Sequence, residues 1–262
     1  MPSKPQKRKS ITISDEDETE KVAKKANTTM TPSSQLKKSS EFARSMQKYY
    51  DSPRVIVEVE GSKFTLPKDL LCELSPFFDR AFNGAFKEAT EGKVTLEETN
   101  RISFEHVIRW MHMGSIAVPD PVVYDEKAFN EVVKEYIGFF VLADRLGLPG
   151  PFTVDMQSLT STVSRGRYTV SKENMRQGTN LPKNHSVRQL LADSCIGEYI
   201  DSVTEDTNFR LGEELEELDG FGYDILMAFQ RAAKGKMDVD DNGSYIEDPL
   251  HKGNAAYNIL FY

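Results

Sequence analysis

Apolar and polar positions alternate from Arg54 onward. Val55, Val57 and Val59 take every second place, a Glu60-Gly61 pair interrupts, and Phe64 and Leu66 resume. A period of two predicts half-buried strands, and the interruption predicts a hairpin turn between them. Just before this, "SSEFARSMQKYY" places Phe42, Met46 and Tyr49 or Tyr50 at helical spacing behind a serine cap, which predicts a helix with one narrow apolar face. From Leu70 the period lengthens. In "ELSPFF", Ser75 is placed to cap a helix and Pro76 to occupy its first position, where a missing N–H costs nothing. Phe78 and Phe82, four apart, share the inner face of that helix with Phe77 and Ala81 beside them, and Asn83-Gly84 should stop it. Phe86 then falls on a separate short turn, free to point elsewhere.

Farther along, "KVTL" from Lys93 predicts a third strand. Phe104, Val107, Ile108 and Met111 form one helical face that ends at Gly114, and "IAV" from Ile116 has the composition of a short strand. The most sustained pattern comprises Phe129, Val132, Val133, Tyr136, Ile137, Phe140, Ala143 and Gly147, and it predicts a long core helix. Downstream, "VDMQSLTSTV", "SVRQLLADS" and "YDILMAFQRAA" have helical spacing, and "EELEELDG" is an acidic helix or the approach to one. Residues 164–185 are polar and loop-like. Beyond Gly235 little regular structure is expected, although the closing "YNILFY" is apolar enough to dock.

Composition sharpens this picture at the N-terminal end. The hydrophobic fraction of 39% is low for a chain of 262 residues, and the shortfall is concentrated in residues 1–40, which hold no aromatic residue. Too little apolar surface is available there to offset chain entropy, so a disordered tail is expected. Nine basic against five acidic residues make that tail net +4, leaving the remaining chain at −12 within a total of −8. An acidic folded part argues against direct nucleic-acid binding. Two cysteines, Cys72 and Cys195, have no ligand-spaced neighbours and suggest a reducing compartment. A charged start and no apolar run near 20 residues argue against secretion and membrane spanning.

Catalytic signatures are absent: no nucleophile elbow, phosphate loop, dinucleotide fingerprint or zinc-binding pair occurs. His106 and His112, six apart on one predicted helix, point to different faces and are read as exposed or capping residues. Glu213, Glu214, Glu216 and Glu217 are read as a solvated acidic face. Neither cofactor nor metal is implied, and the chain is expected to be no enzyme.

The order strand, strand, helix, helix, strand, helix, short strand, long helix resembles the BTB/POZ domain, in particular that of fungal BTB proteins. The resemblance is carried by "VEGSKFTLPKDLLCELSPFFDRAFNGAFKEA", "VTLEE", "FEHVIRWMHMGSI" and "FVLADRLGLPG", and more weakly by "HSVRQLLADS". Two positions depart from the family pattern: Pro67 stands where histidine is common, and Arg54 where an aspartate often precedes the first strand. That aspartate helps form the corepressor groove of the transcription-factor branch, so such a groove is not expected here.

The resemblance implies an α+β fold, a small mixed sheet flanked by helices, with a helical C-terminal extension. The expected organisation is a tail at 1–40, a BTB/POZ domain at 41–149, the extension at 150–235 and an irregular segment at 236–262. It also implies partners. In BTB adaptors of cullin ubiquitin ligases, a hydrophobic residue followed two places later by glutamate contacts the cullin, and Phe86 and Glu88 occupy the corresponding places in "FKE". The helix bearing Phe42 and Met46 matches the family's homodimer element. An adaptor or scaffold that binds an unidentified client protein is therefore expected, possible forms being a cullin-ligase substrate receptor and a nuclear scaffold in transcriptional regulation. In the tail, Lys4, Lys7, Arg8, Lys9, Lys24 and Lys25 are spaced like a bipartite nuclear-import signal, so residence in nucleus or cytoplasm is expected. "SITISDEDETE" resembles a SUMO-interacting segment and makes Ser14 a candidate for acid-directed phosphorylation.

Overall fold

The alternating valines form β1 (Arg54–Val59), which pairs antiparallel with β2 (Ser62–Pro67), Val59 lying opposite Ser62. The connecting loop is thus two residues long. Glu60 (φ 46°) and Gly61 (φ 74°) both adopt left-handed backbone, the type I′ geometry whose twist matches that of the strands. For Glu60 that conformation costs about 1–2 kcal/mol. Its carboxylate accepts a hydrogen bond from the Arg101 N–H at 3.0 Å and ties the hairpin to a later helix. β3 (Lys93–Thr95) runs parallel to β1 on its other side, completing a mixed sheet of order β2-β1-β3.

The computed structural model describes residues 43–44, 46–116, 118, 125–165, 168–204, 207–235, 239–240, 243–247 and 256–258. Two compact units divide the chain, Met1–Gln47 and Lys48–Tyr262. In the first, the described residues are helical. The expected tail at 1–40 lies outside the described residues.

In the second unit the sheet is followed by α1 (Lys68–Leu74), α2 (Pro76–Asn83), α3 (Lys87–Glu91), α4 (Arg101–Met113) and α5 (Glu126–Leu146). Ser75 joins the start of one helix to the end of another. Its buried Oγ accepts from the Phe78 N–H at 3.3 Å, capping α2, and donates to the Leu146 carbonyl at 2.6 Å, the last turn of α5. Phe78, Phe104, Phe129, Phe139 and Phe140 are fully buried and form the aromatic core between these helices. Gly138 lies in the middle of α5 where α4 comes close; a methyl group there would overlap Ser103 Oγ and press on Gln177.

The C-terminal part is helical: α6 (Thr153–Arg165), α7 (Lys172–Gly178), α8 (Ser186–Asp193), α9 (Ile196–Thr204), α10 (Gly212–Glu217) and α11 (Phe221–Gly235). Three expectations are corrected here. The polar stretch 164–185 contains α7, which is held by polar bonds that leave no apolar period: Ser171 caps it, and the buried Asn174 donates to the Asn130 carbonyl of α5 at 2.9 Å. Beyond Gly235 the chain forms β4 (Val239–Asp240), β5 (Gly243–Glu247) and β6 (Ala256–Asn258), antiparallel in the order β4-β5-β6; such short strands carry too few residues to show alternation. Ile116 and Val118 are buried but lie in no strand, and the Ile116 N–H donates to Asp155 of α6 at 3.0 Å in place of a ladder partner.

Candidate partner-binding surface

α2 stops at Gly84, whose N–H returns to the Arg80 carbonyl at 3.0 Å; any side chain at this position would strike that carbonyl. The chain then runs extended through Phe86, which is the N-cap residue of α3. Phe78 and Phe82, stacked at 6.1 Å between ring centroids, are buried in the core, whereas Phe86 is 61% exposed. Glu88 sits in the first turn of α3 and is half-buried. An exposed aromatic ring and a carboxylate two residues on therefore share one short helix start.

Toward the N-terminal end of the second unit, Lys48 Nζ donates to both carboxylate oxygens of Glu73 on α1, at 2.7 and 2.6 Å, and the Tyr49 hydroxyl donates to the same carboxylate at 2.9 Å. These bonds, that of Lys48 foremost, hold the Glu73 carboxyl below the usual carboxylate range. Met46 is helical and half-buried; Phe42 lies outside the described residues, as do Ser14 and the basic tail residues Lys4, Lys7, Arg8, Lys9, Lys24 and Lys25.

A cavity of about 670 Å³ opens where α5, α6 and the start of α8 meet. Phe140 and Phe152 line it together with Met156, Gln157, Ser161 and His185, and its walls carry no Asp, Glu, Lys or Arg. The Phe152 ring meets those of Phe139 and Phe140 edge to face, 5.5 and 5.8 Å between centroids, and Phe139 and Phe140 lie tilted to each other at 5.3 Å. A smaller cavity of about 280 Å³ shares Gln157 and Ser161 with it and is lined also by Tyr136, Ser158 and Thr162.

Comparison with family models matches residues 44–151 to the BTB/POZ domain. This chain carries a BTB/POZ domain. Among solved structures, the BTB (Tramtrack and Bric a brac) domain of human Gigaxonin is similar at 15% identity, over 50% of this chain and 96% of that one, with a TM-score of 0.29. No curated protein matches the chain. BTB/POZ domains are protein–protein interaction modules, and the small mixed sheet with its helices is the fold of that family.

Side chains that could suggest chemistry are engaged elsewhere in the BTB/POZ domain and its extension. His106, expected to be exposed or capping, is half-buried, with Nε2 3.1 Å from Glu135 Oε2 on α5; His112 Nδ1 bonds the Ile108 carbonyl at 2.8 Å. Burial pushes the Cys195 thiol up to about 12, and it also raises that of Cys72, so neither is an activated thiolate. No group of three or more His, Cys, Asp or Glu suited to a metal occurs among the described residues. No described helix is long and apolar enough to cross a membrane.

The acidic run on α10 requires a correction. Glu214 is fully buried and ion-paired to Arg176 at 3.2 Å and Lys172 at 3.3 Å, while Glu213, Glu216 and Glu217 are exposed. Burial pushes the Glu214 carboxyl up, but bonds from its own N–H, Lys172 and Arg176 outweigh this and leave it below the usual range. Sequence reading also missed Arg188 and Asp224, a buried pair that joins α8 to α11.

Proposed function

We propose that this chain is an adaptor that links a protein client to a cullin-based ubiquitin ligase, with Phe86 and Glu88 as its cullin contact. The observation that carries the proposal is the exposure of Phe86 beside three phenylalanines that pack inward or against one another. The core does not use this ring, so its apolar surface is available to a partner. Inserting such a ring into a pocket stabilises a complex by about 2 kcal/mol or more, roughly thirtyfold in affinity. Glu88, fixed on the same short helix, adds a charge that orients the partner. The helices α6–α11 offer the surface for the client. Phe42 and Met46 supply the homodimer contact in the same proposal.

A pull-down with a purified cullin N-terminal region compares the wild-type chain with the Phe86→Ala and Glu88→Ala variants. Retention by wild type and a roughly thirtyfold loss with Phe86→Ala are expected. Equal recovery by all three, or by none, overturns the ligase reading and favours a nuclear scaffold that regulates transcription without ligase contact.

A further inference from the structure

His185 is the N-cap of α8, and the bond it makes depends on its charge state. The Val187 N–H donates to Nδ1 at 3.2 Å. Nδ1 can accept only while it carries a lone pair, so the capped state is the neutral imidazole with its proton on Nε2. A second proton would turn Nδ1 into a donor facing a donor, and would set a cation at the positive end of the helix dipole.

We propose that His185 is a proton-operated latch: the neutral ring caps α8 and holds its start at the cavity wall against α5, and protonation releases the cap and loosens α8. The surroundings make the switch one-sided. The ring stands edge-on to Phe140 of α5, 5.7 Å between centroids. From α6 the cavity wall presents Thr153, Met156, Gln157, Thr160 and Ser161, none of them titratable in the relevant range. In the preceding loop Lys183 is held by Asp219 at 3.1 Å, and Arg188 on α8 itself is turned to Asp224. The charge that acts on the ring is Asp144 of α5, which favours the protonated form, yet burial dominates and holds the imidazole below the ordinary histidine value. With the folded value depressed, the cap's contribution is complete above the unfolded value near 6.5 and is lost as pH falls through the folded one. Because α8 also bears Arg188, loosening it slackens the seam with α11.

Hydrogen exchange on the full chain at pH 7.5 and 5.0, corrected for intrinsic exchange rates, reads the latch at the amides of Val187, Arg188 and Gln189. In wild type, protection at these amides is expected to fall roughly tenfold at pH 5.0, the scale of losing a helix cap. His185→Asn, whose side chain caps without titrating, keeps protection at both pH values, and His185→Ala is poorly protected at both. The same acid loss in His185→Asn as in wild type overturns the proposal, as does His185→Ala matching wild type at pH 7.5.

Discussion

Arg188 lies in α8 with 4% of its side chain exposed, and its guanidinium makes five hydrogen bonds to three separate segments. Nε and Nη2 donate to Asp224 Oδ2 on α11; Nη1 donates to the carbonyls of Thr179 and Leu181, both at 3.1 Å; Nη2 also reaches the Asp219 carbonyl at 3.0 Å. Arg188→Ala removes all five. It leaves Asp224 charged and buried without a counter-ion, a loss of about 3–5 kcal/mol, and three carbonyls short of a partner, each costing about 1–3 kcal/mol where water does not reach. Water entering the vacated space offsets part of this, so a total of about 4–5 kcal/mol is expected. With a urea m-value of about 2 kcal/mol/M, the unfolding midpoint should drop by about 2 M.

The double variant Arg188→Met with Asp224→Leu separates the two contributions. It removes both charges but leaves the carbonyls of Thr179, Leu181 and Asp219 unpaired, so it should recover only part of the loss and remain about 2–3 kcal/mol below wild type. Urea denaturation followed by far-UV circular dichroism measures all of these. A loss under about 1 kcal/mol for Arg188→Ala would refute the assignment of Arg188 as a hub, and full recovery in the double variant would refute the weight given to the carbonyls.

Gly138→Ala should lower the melting temperature by the equivalent of about 1–3 kcal/mol, because overlap with Ser103 Oγ outweighs the gain of about 1 kcal/mol in helix propensity. Adding Ser103→Ala should restore most of it, and a rise in melting temperature with Gly138→Ala alone contradicts the close approach. For the homodimer, sedimentation of wild type at micromolar concentration should give twice the chain mass and Phe42→Asp the monomer mass; two identical monomeric profiles remove the dimer from the proposal.

Features specified by neighbours in sequence were legible. The β1–β2 hairpin follows from alternating valines and two residues able to take left-handed backbone, α2 from Ser75 and Pro76, and α5 from seven apolar positions at one spacing with Gly147 as the C-cap that ends it. What escaped was polar and distant. Glu214 is indistinguishable from Glu213 in sequence; about forty residues away, Lys172 pairs with both, whereas Arg176 pairs with Glu214 and not with Glu213, and Glu214 alone of the two is buried. Likewise, His106 finds Glu135 on another helix, and α7 is placed by Asn130. Phe86 is intermediate. Its separation from the Phe78–Phe82 face could be read from Asn83-Gly84, but its exposure depends on how the chain leaves α2.

The BTB/POZ domain and the helices beyond it differ in what a single substitution removes. The BTB/POZ domain is held by many apolar side chains, among which the loss of one methylene removes about 1 kcal/mol and leaves the neighbours packed. The helices that follow bury apolar side chains of their own, among them Leu159, Met175, Val187, Leu191, Ile196 and Phe221, and polar hubs join them as well: Arg188 to Asp224, Glu214 to Lys172 and Arg176, and Arg210 to both Glu198 and the Val170 carbonyl. The Arg188 hub reaches three segments, so one substitution there removes bonds to several elements at once. In the latch proposed at His185, the loss of one such bond loosens α8 while the domain that carries Phe86 keeps its own apolar core.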